Sequence, residues 1–135
     1  MAKLDEICND LLKKVAAARS VVIINLQSGA LMAAAYSGSH FGQEYLDTLV
    51  SATVEMFRGQ TAQTAEAQLS AQRGRETKNI IHELQVATGD TCYFMAVIPD
   101  KPDVALVLVT GKKANLGVGW AAVQNVLPLV TSYCP

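Results

Sequence analysis

Residues 104–109 read Val-Ala-Leu-Val-Leu-Val, six apolar side chains in succession with no polar alternation. A strand written this way has no face to offer water, so it belongs in the middle of a sheet that is covered on both sides. Val21-Val22-Ile23-Ile24-Asn25-Leu26 makes the same demand. Two central strands leave only edge or near-edge places for the rest. The strands around them must therefore be read from their turns.

Before Val104 lie two more β-prone runs. Lys78 to Val86 ends in the turn Ala87-Thr88-Gly89-Asp90, and Thr91 to Ile98 ends in the break Pro99-Asp100-Lys101-Pro102-Asp103. Gly-Asp and Pro-Asp are turn dipeptides because Gly reaches positive φ, Pro fixes φ and Asp bonds its own backbone. Three runs joined in this way predict an antiparallel meander. In the first run Ile80, Leu84 and Val86 share one face, while Ile81, Glu83 and Gln85 share the other, so that strand is half exposed. At the other end of the chain, Gln27-Ser28-Gly29 turns the first apolar strand back into Ala30–Tyr36. Alanine is a weak strand former, so this second strand rests on the turn before it.

Three helical stripes complete the pattern. Leu4, Ile7, Cys8, Leu11, Leu12 and Val15 recur at helical spacing, with Asp5, Asn9, Asp10, Lys13 and Lys14 outside. Ser37-Gly38-Ser39 offers an N-cap to a second stripe, marked by Phe41, Tyr45, Leu46, Leu49, Val50, Met56 and Phe57. It fades into a Gln-, Ala- and Thr-rich stretch up to Arg73-Gly74-Arg75. That stretch reads either as a polar loop or as the same helix continued. Ala62, Ala65, Ala67 and Ala71 offset by propensity the roughly 1 kcal/mol that Gly59 costs inside a helix, which favours one long helix from Phe41 to about Gln72. A last helix starts with Asn115 as N-cap and carries Leu116, Trp120, Val123, Leu127, Val130 and Cys134 on one side. Pro128 lacks the backbone donor and predicts a bend or stop near Leu127. The resulting order is α-β-β-α-β-β-β-α, one α+β domain over residues 1–135. Its five-stranded antiparallel sheet has the order 2-1-5-4-3, with the middle helix on one face and the first and last helices on the other.

Half of the 135 residues are hydrophobic and the net charge is −1. Scattered Lys and Arg in a near-neutral chain argue against nucleic acid as a partner. No apolar run approaches the ~18 residues of a membrane span. Cys8, Cys92 and Cys134 form no close pair, which suits a reducing cytoplasm. The chemical motifs are thin. His82-Glu83 begins an H-E-x-x-H, but Val86 stands where the second His is needed, so no metal is expected. Gly111-Lys112-Lys113 follows a strand, yet Leu106 stands where a phosphate loop needs its first Gly, so this is read as a solvated turn. Gly117-x-Gly119 reads as a place of close helix packing. No nucleophile–base pair and no carboxylate pair emerges. The expectation is no catalytic residue, no cofactor and no metal.

The whole arrangement resembles the roadblock (dynein light-chain) domain, and among its members the bacterial gliding-protein regulators that partner a Ras-like GTPase. The likeness runs from about Leu4 to Val130. It rests on Val22-Ile23-Ile24-Asn25 leading into Ser28-Gly29, the Ala/Thr-rich second half of the middle helix, Ile81-His82-Glu83 opening the meander, and Asn115-Leu116-Gly117 opening the last helix. Pro128 and the lack of an acidic stretch after the last helix depart from that group. The resemblance implies a non-enzymatic homodimer that regulates or scaffolds a Ras-like small GTPase, or a motor or signalling complex. The dimer interface would comprise Ile80, Ile81, Glu83 and Gln85 on the edge strand, with Ala62, Ala65 and Leu69 on the helix. Glu55, Arg58, Gln60 and Gln63 are the expected partner contacts. A profilin- or PAS-like small-molecule sensor is the alternative. It would require a pocket with convergent polar groups.

Overall fold

The computed structural model of the chain describes residues 2–37, 42–74 and 81–135. In order these form α1 (Ala2–Lys14), β1 (Ala18–Asn25), β2 (Leu31–Tyr36), α2 (Gln43–Arg58), α3 (Gln60–Arg73), β3 (Glu83–Ala87), β4 (Thr91–Ile98), β5 (Lys101–Gly111) and α4 (Leu116–Tyr133). The strands make one antiparallel sheet in the order β2-β1-β5-β4-β3, as the apolar runs required.

Strand alternation divides the core into two layers. Val21, Ile23, Leu106, Leu108 and Phe94 point to the side of α1 and α4, where Leu4, Cys8, Leu11, Val123 and Val130 meet them. Val22, Ile24, Ala105, Val107 and Met95 point the other way, towards Leu46, Leu49, Val50 and Phe57 of α2. Every residue from Val104 to Val109 is buried. Each large side chain so covered contributes about 1.5–3 kcal/mol relative to exposure.

The turns follow their local chemistry. Asn25 Oδ1 accepts from the backbone N–H groups of Gln27 and Ser28, both at 2.9 Å, and Gly29 takes φ +73°. Between Ile98 and Lys101 the chain needs only Pro99 and Asp100, with Asp100 at φ +65°. β5 therefore begins at Lys101 and absorbs Pro102 and Asp103, which the sequence placed in the break. Asn115 caps α4, its Oδ1 accepting from Val118 N–H at 3.0 Å.

Several expectations need correction. The middle helix is not continuous: Gly59 takes an extended conformation (φ −73°, ψ 176°) and separates α2 from α3. The observed path requires glycine, since a Cβ at residue 59 would lie 2.3 Å from the Glu55 carbonyl oxygen, and a sum over alanine propensities does not register that. The first meander strand begins at Glu83, and the expected start at Lys78 lies outside the described residues. α4 runs through Pro128, which is exposed, because Val126, Leu127 and Val130 are buried around it and Thr131 Oγ1 bonds both Leu127 C=O and Pro99 C=O. That packing outweighs the roughly 3 kcal/mol a helical proline costs. Leu116, placed on the apolar stripe, is exposed at the first turn. The cap expected in residues 37–39 is replaced by Gly42, which carries no side-chain bond; Ser39 itself lies outside the described residues.

Gly59→Ala is expected to merge the two helices. The Glu55 contact forces the preceding turn to shift and the observed path to be lost, and once it is lost Ala favours helical values at residue 59 over Gly. Backbone carbon chemical shifts at residues 58–60 would then become helical. Extended values at residue 59 in the variant would count against this.

Candidate functional site

Among the described residues, two elements are only partly covered. β3 is an edge strand of five residues, paired only with β4 among the described strands. Val97 N–H donates to His82 C=O at 2.8 Å, which fixes the alternation along the pair. Glu83, Gln85 and Ala87 then turn their backbone N–H and C=O groups away from β4, to the open edge. Such an edge is a template for a further strand unless it is blocked. The second element is α3, which packs chiefly against α2 and buries only Ala62 and Glu66 among its described residues.

The structure distributes the expected interface residues unevenly. Ile80 lies outside the described residues. Ile81 is half-buried and packs with Leu84 on the α2 side, opposite to the face assigned from strand alternation, because regular strand begins only at Glu83. Glu83 and Gln85 are exposed but face α4. Glu83 accepts from Gln124, and Gln85 accepts from Trp120 Nε1 at 2.6 Å. That side of β3 is thus flanked by the chain's own last helix, which the sequence reading had left uncovered. On α3, Ala62 is buried, Leu69 half-buried and Ala65 exposed.

Glu55, Arg58, Gln60 and Gln63 come together around the Gly59 break. Glu55 and Gln60 are exposed, and the Glu55 carbonyl accepts from Gly59 N–H at 2.8 Å. Gln63 Nε2 donates to Arg58 C=O at 3.1 Å. Arg58 is half-buried, with Nη1 3.0 Å from Asp103 Oδ1 and Nη2 donating to Pro102 C=O. At this exposure the pair is worth about 1 kcal/mol or less, but the forked guanidinium fixes the end of α2 over the start of β5. Asp103 and Pro102 were not foreseeable as neighbours, since they lie over forty residues away in sequence.

No ready nucleophile is found among the thiols. Cys8, Cys92 and Cys134 are free and buried. Burial, with Asp5 adding to it, pushes Cys8 up to about 12, and burial raises Cys134 despite Lys101 nearby. Cys8 and Cys134 therefore stay protonated at neutral pH. His82 is exposed, and among the described residues no three His, Cys, Asp or Glu side chains converge as metal ligands. No described helix is long and apolar enough to cross a membrane. A groove of about 610 Å³ opens beside the β4–β5 turn, lined by His82, Glu83, Pro99, Asp100, Gln124 and Leu127. Ala96 and Ile98 of β4 also line it, so it runs from the sheet's end to the margin between the sheet and α4.

No family model and no curated protein matches the chain in sequence. Solved structures do match it in shape. The gliding protein MglB from Thermus thermophilus superposes with a TM-score of 0.73 at 17% identity, covering 97% of this chain and 87% of that one. A Roadblock/LC7 domain from Streptomyces avermitilis gives 0.72 at 14% identity, over 96% and 95%. Myxococcus xanthus MglB gives 0.71 at 18% identity, over 97% and 86%. Likeness over nearly the whole chain, with the strand order that the sequence reading anticipated, assigns the architecture: the chain has the roadblock/LC7 fold.

Proposed function

We propose that the chain is a homodimeric, non-enzymatic regulator or scaffold of a Ras-like small GTPase. The observation that supports this most is the near-complete overlap with MglB structures in a chain whose described residues leave the edge of β3 unpaired and most of α3 exposed. Edge-to-edge pairing of β3 across a two-fold axis would satisfy the outward N–H and C=O groups and join two sheets into one. The α3 helices would lie near that axis, with Ala62 and Leu69 towards the contact. The partner surface would centre on the Gly59 break, where Glu55, Gln60 and Gln63 are exposed and Arg58 is held by Asp103. The GTPase would bring its own catalytic groups, and the chain would act by rearranging them. Three unpaired cysteines fit a cytoplasmic protein.

The test is capture. Immobilised chain, shown by sedimentation to be a dimer, is exposed to native lysate loaded with GDP or with a non-hydrolysable GTP analogue. Retention of a Ras-like GTPase in one nucleotide state is expected, with no GTP or ATP bound by the chain alone in calorimetry. A dimer that retains no GTPase in either state, or an isolated chain that binds nucleotide tightly, sinks this reading.

A further inference from the structure

The end of the sheet opposite the β4–β5 turn gathers positive charge that no ion pair among the described residues neutralises. Arg19 at the start of β1 and Lys112 and Lys113 after β5 surround a depression of about 530 Å³, with Ala17, Asp90 and Gly111 in its wall. Arg19 is half-buried and oriented: Nη1 donates to Thr91 Oγ1 at 2.8 Å, and Thr91 Oγ1 donates to Asp90 Oδ1 at 3.0 Å. Its remaining N–H groups lie over Gly111, where a Cβ would come within 3.4 Å of Nη2 and 3.7 Å of Nε. Lys112 is placed by its backbone N–H, which donates to Asp90 C=O at 3.1 Å. The described ion pairs are Lys3–Glu6 and Arg58–Asp103, neither of which involves these cations. Lys13 and Lys14 close α1 just before Ala17, adding to the same sign. In a chain of net charge −1 this is a local concentration, not a general basicity.

We propose that this depression binds the phosphate of a small phosphorylated ligand, a phosphomonoester or a diphosphate. An arginine fork held by a neighbouring hydroxyl, with two lysines beside it, is the donor set that multiply charged phosphate oxyanions prefer. The remaining wall is Ala, Gly and Asp90, whose carboxylate is engaged by the Thr91 hydroxyl, with no aromatic ring to stack a base, so the site selects for the phosphate and not for a nucleotide. It lies at the far end of the sheet from the Arg58–Asp103 pair, and it stands or falls independently of GTPase binding.

Two probes separate the sources of such a group. Pyrophosphate is titrated into isotopically labelled chain at low salt, and phosphatidylcholine vesicles with or without phosphatidic acid are tested by flotation. Millimolar pyrophosphate is expected to move the amides of residues 17–19, 89–91 and 111–113. Flotation only with phosphatidic acid would identify a lipid headgroup as the source, and its absence a soluble ligand. Lys112→Gln/Lys113→Gln is expected to weaken binding roughly tenfold or more with unchanged thermal unfolding, since both residues are exposed. Lys3→Gln/Lys101→Gln removes the same charge from the opposite end and is expected to change it less than about twofold. Arg19→Lys keeps the charge but loses the fork, and is expected to weaken binding as well. Neither probe binding, shifts centred elsewhere, or equal loss in the two double variants would overturn the proposal.

Discussion

Phe94→Ala is expected to cost about 3–5 kcal/mol of unfolding free energy, a large part of the ~5–15 kcal/mol that a domain of this kind commonly has. Phe94 is fully buried in the middle of β4 and stands edge-on to Trp120, with ring centroids 5.3 Å apart at 81°. Its ring also fills the space above Gly119, where a Cβ would lie 2.7 Å from Cζ and 2.9 Å from Cε2. Real Cβ atoms do not approach so closely, so Gly119→Ala is expected to be destabilising by about 1–3 kcal/mol through overpacking. The two substitutions share one volume. In the double variant the methyl at 119 meets no ring, and the combined loss should fall short of the sum by about 0.5–3 kcal/mol. Urea unfolding of the four proteins measures this directly. Additive losses would mean that α4 does not sit on Phe94 as described.

What could be read from sequence divides along the range of the forces involved. Val21–Leu26 and Val104–Val109 dictated their central places because a strand without a polar face has one solution, and the strand order followed. The two core layers were legible for the same reason. Gly117-x-Gly119 suggested close packing, and Gly119 provides it against Phe94, while Gly117 meets only the side chain of its own cap, Asn115. Local propensity misled at Gly59 and Pro128: the path taken at residue 59 has room only for glycine, and buried neighbours carry α4 past Pro128. The candidate site was legible only in outline. An unblocked edge could be inferred from alternation in Glu83–Val86, but not that Trp120 and Gln124 of α4 would hold Gln85 and Glu83. Nor could the Arg58–Asp103 pair or the grouping of Arg19 with Lys112 and Lys113 be foreseen, since each joins residues that only the finished sheet brings together.

Gln85→Pro is expected to turn the proposed dimer into a folded monomer. Gln85 sits at the centre of β3 opposite Phe94, at a position whose backbone N–H points to the open edge and donates nothing to β4. Proline there removes no bond of the existing ladder, and edge strands are where sheets tolerate it. The side-chain bond from Trp120 Nε1 is lost, but it is exposed and worth about 1 kcal/mol, so the core should survive. What cannot survive is a second strand pairing through residue 85, which loses a donor and meets the ring. Ile81→Pro is a poorer test, because Ile81 also packs against the α2 side of the core and its replacement would disturb folding. Gln85→Ala is the control: it drops the same side chain and keeps the N–H. Obligate interfaces commonly bury more than about 2,000 Å², so the wild type and Gln85→Ala should sediment as dimers at micromolar concentration, while Gln85→Pro sediments as a monomer with a cooperative melt. GTPase capture should follow the same division, lost in the proline variant and kept in the alanine one, because a surface assembled from two copies disappears with the second copy. A proline variant that remains dimeric would place the interface away from β3, and one that is monomeric yet still captures the GTPase would make the single chain sufficient for binding.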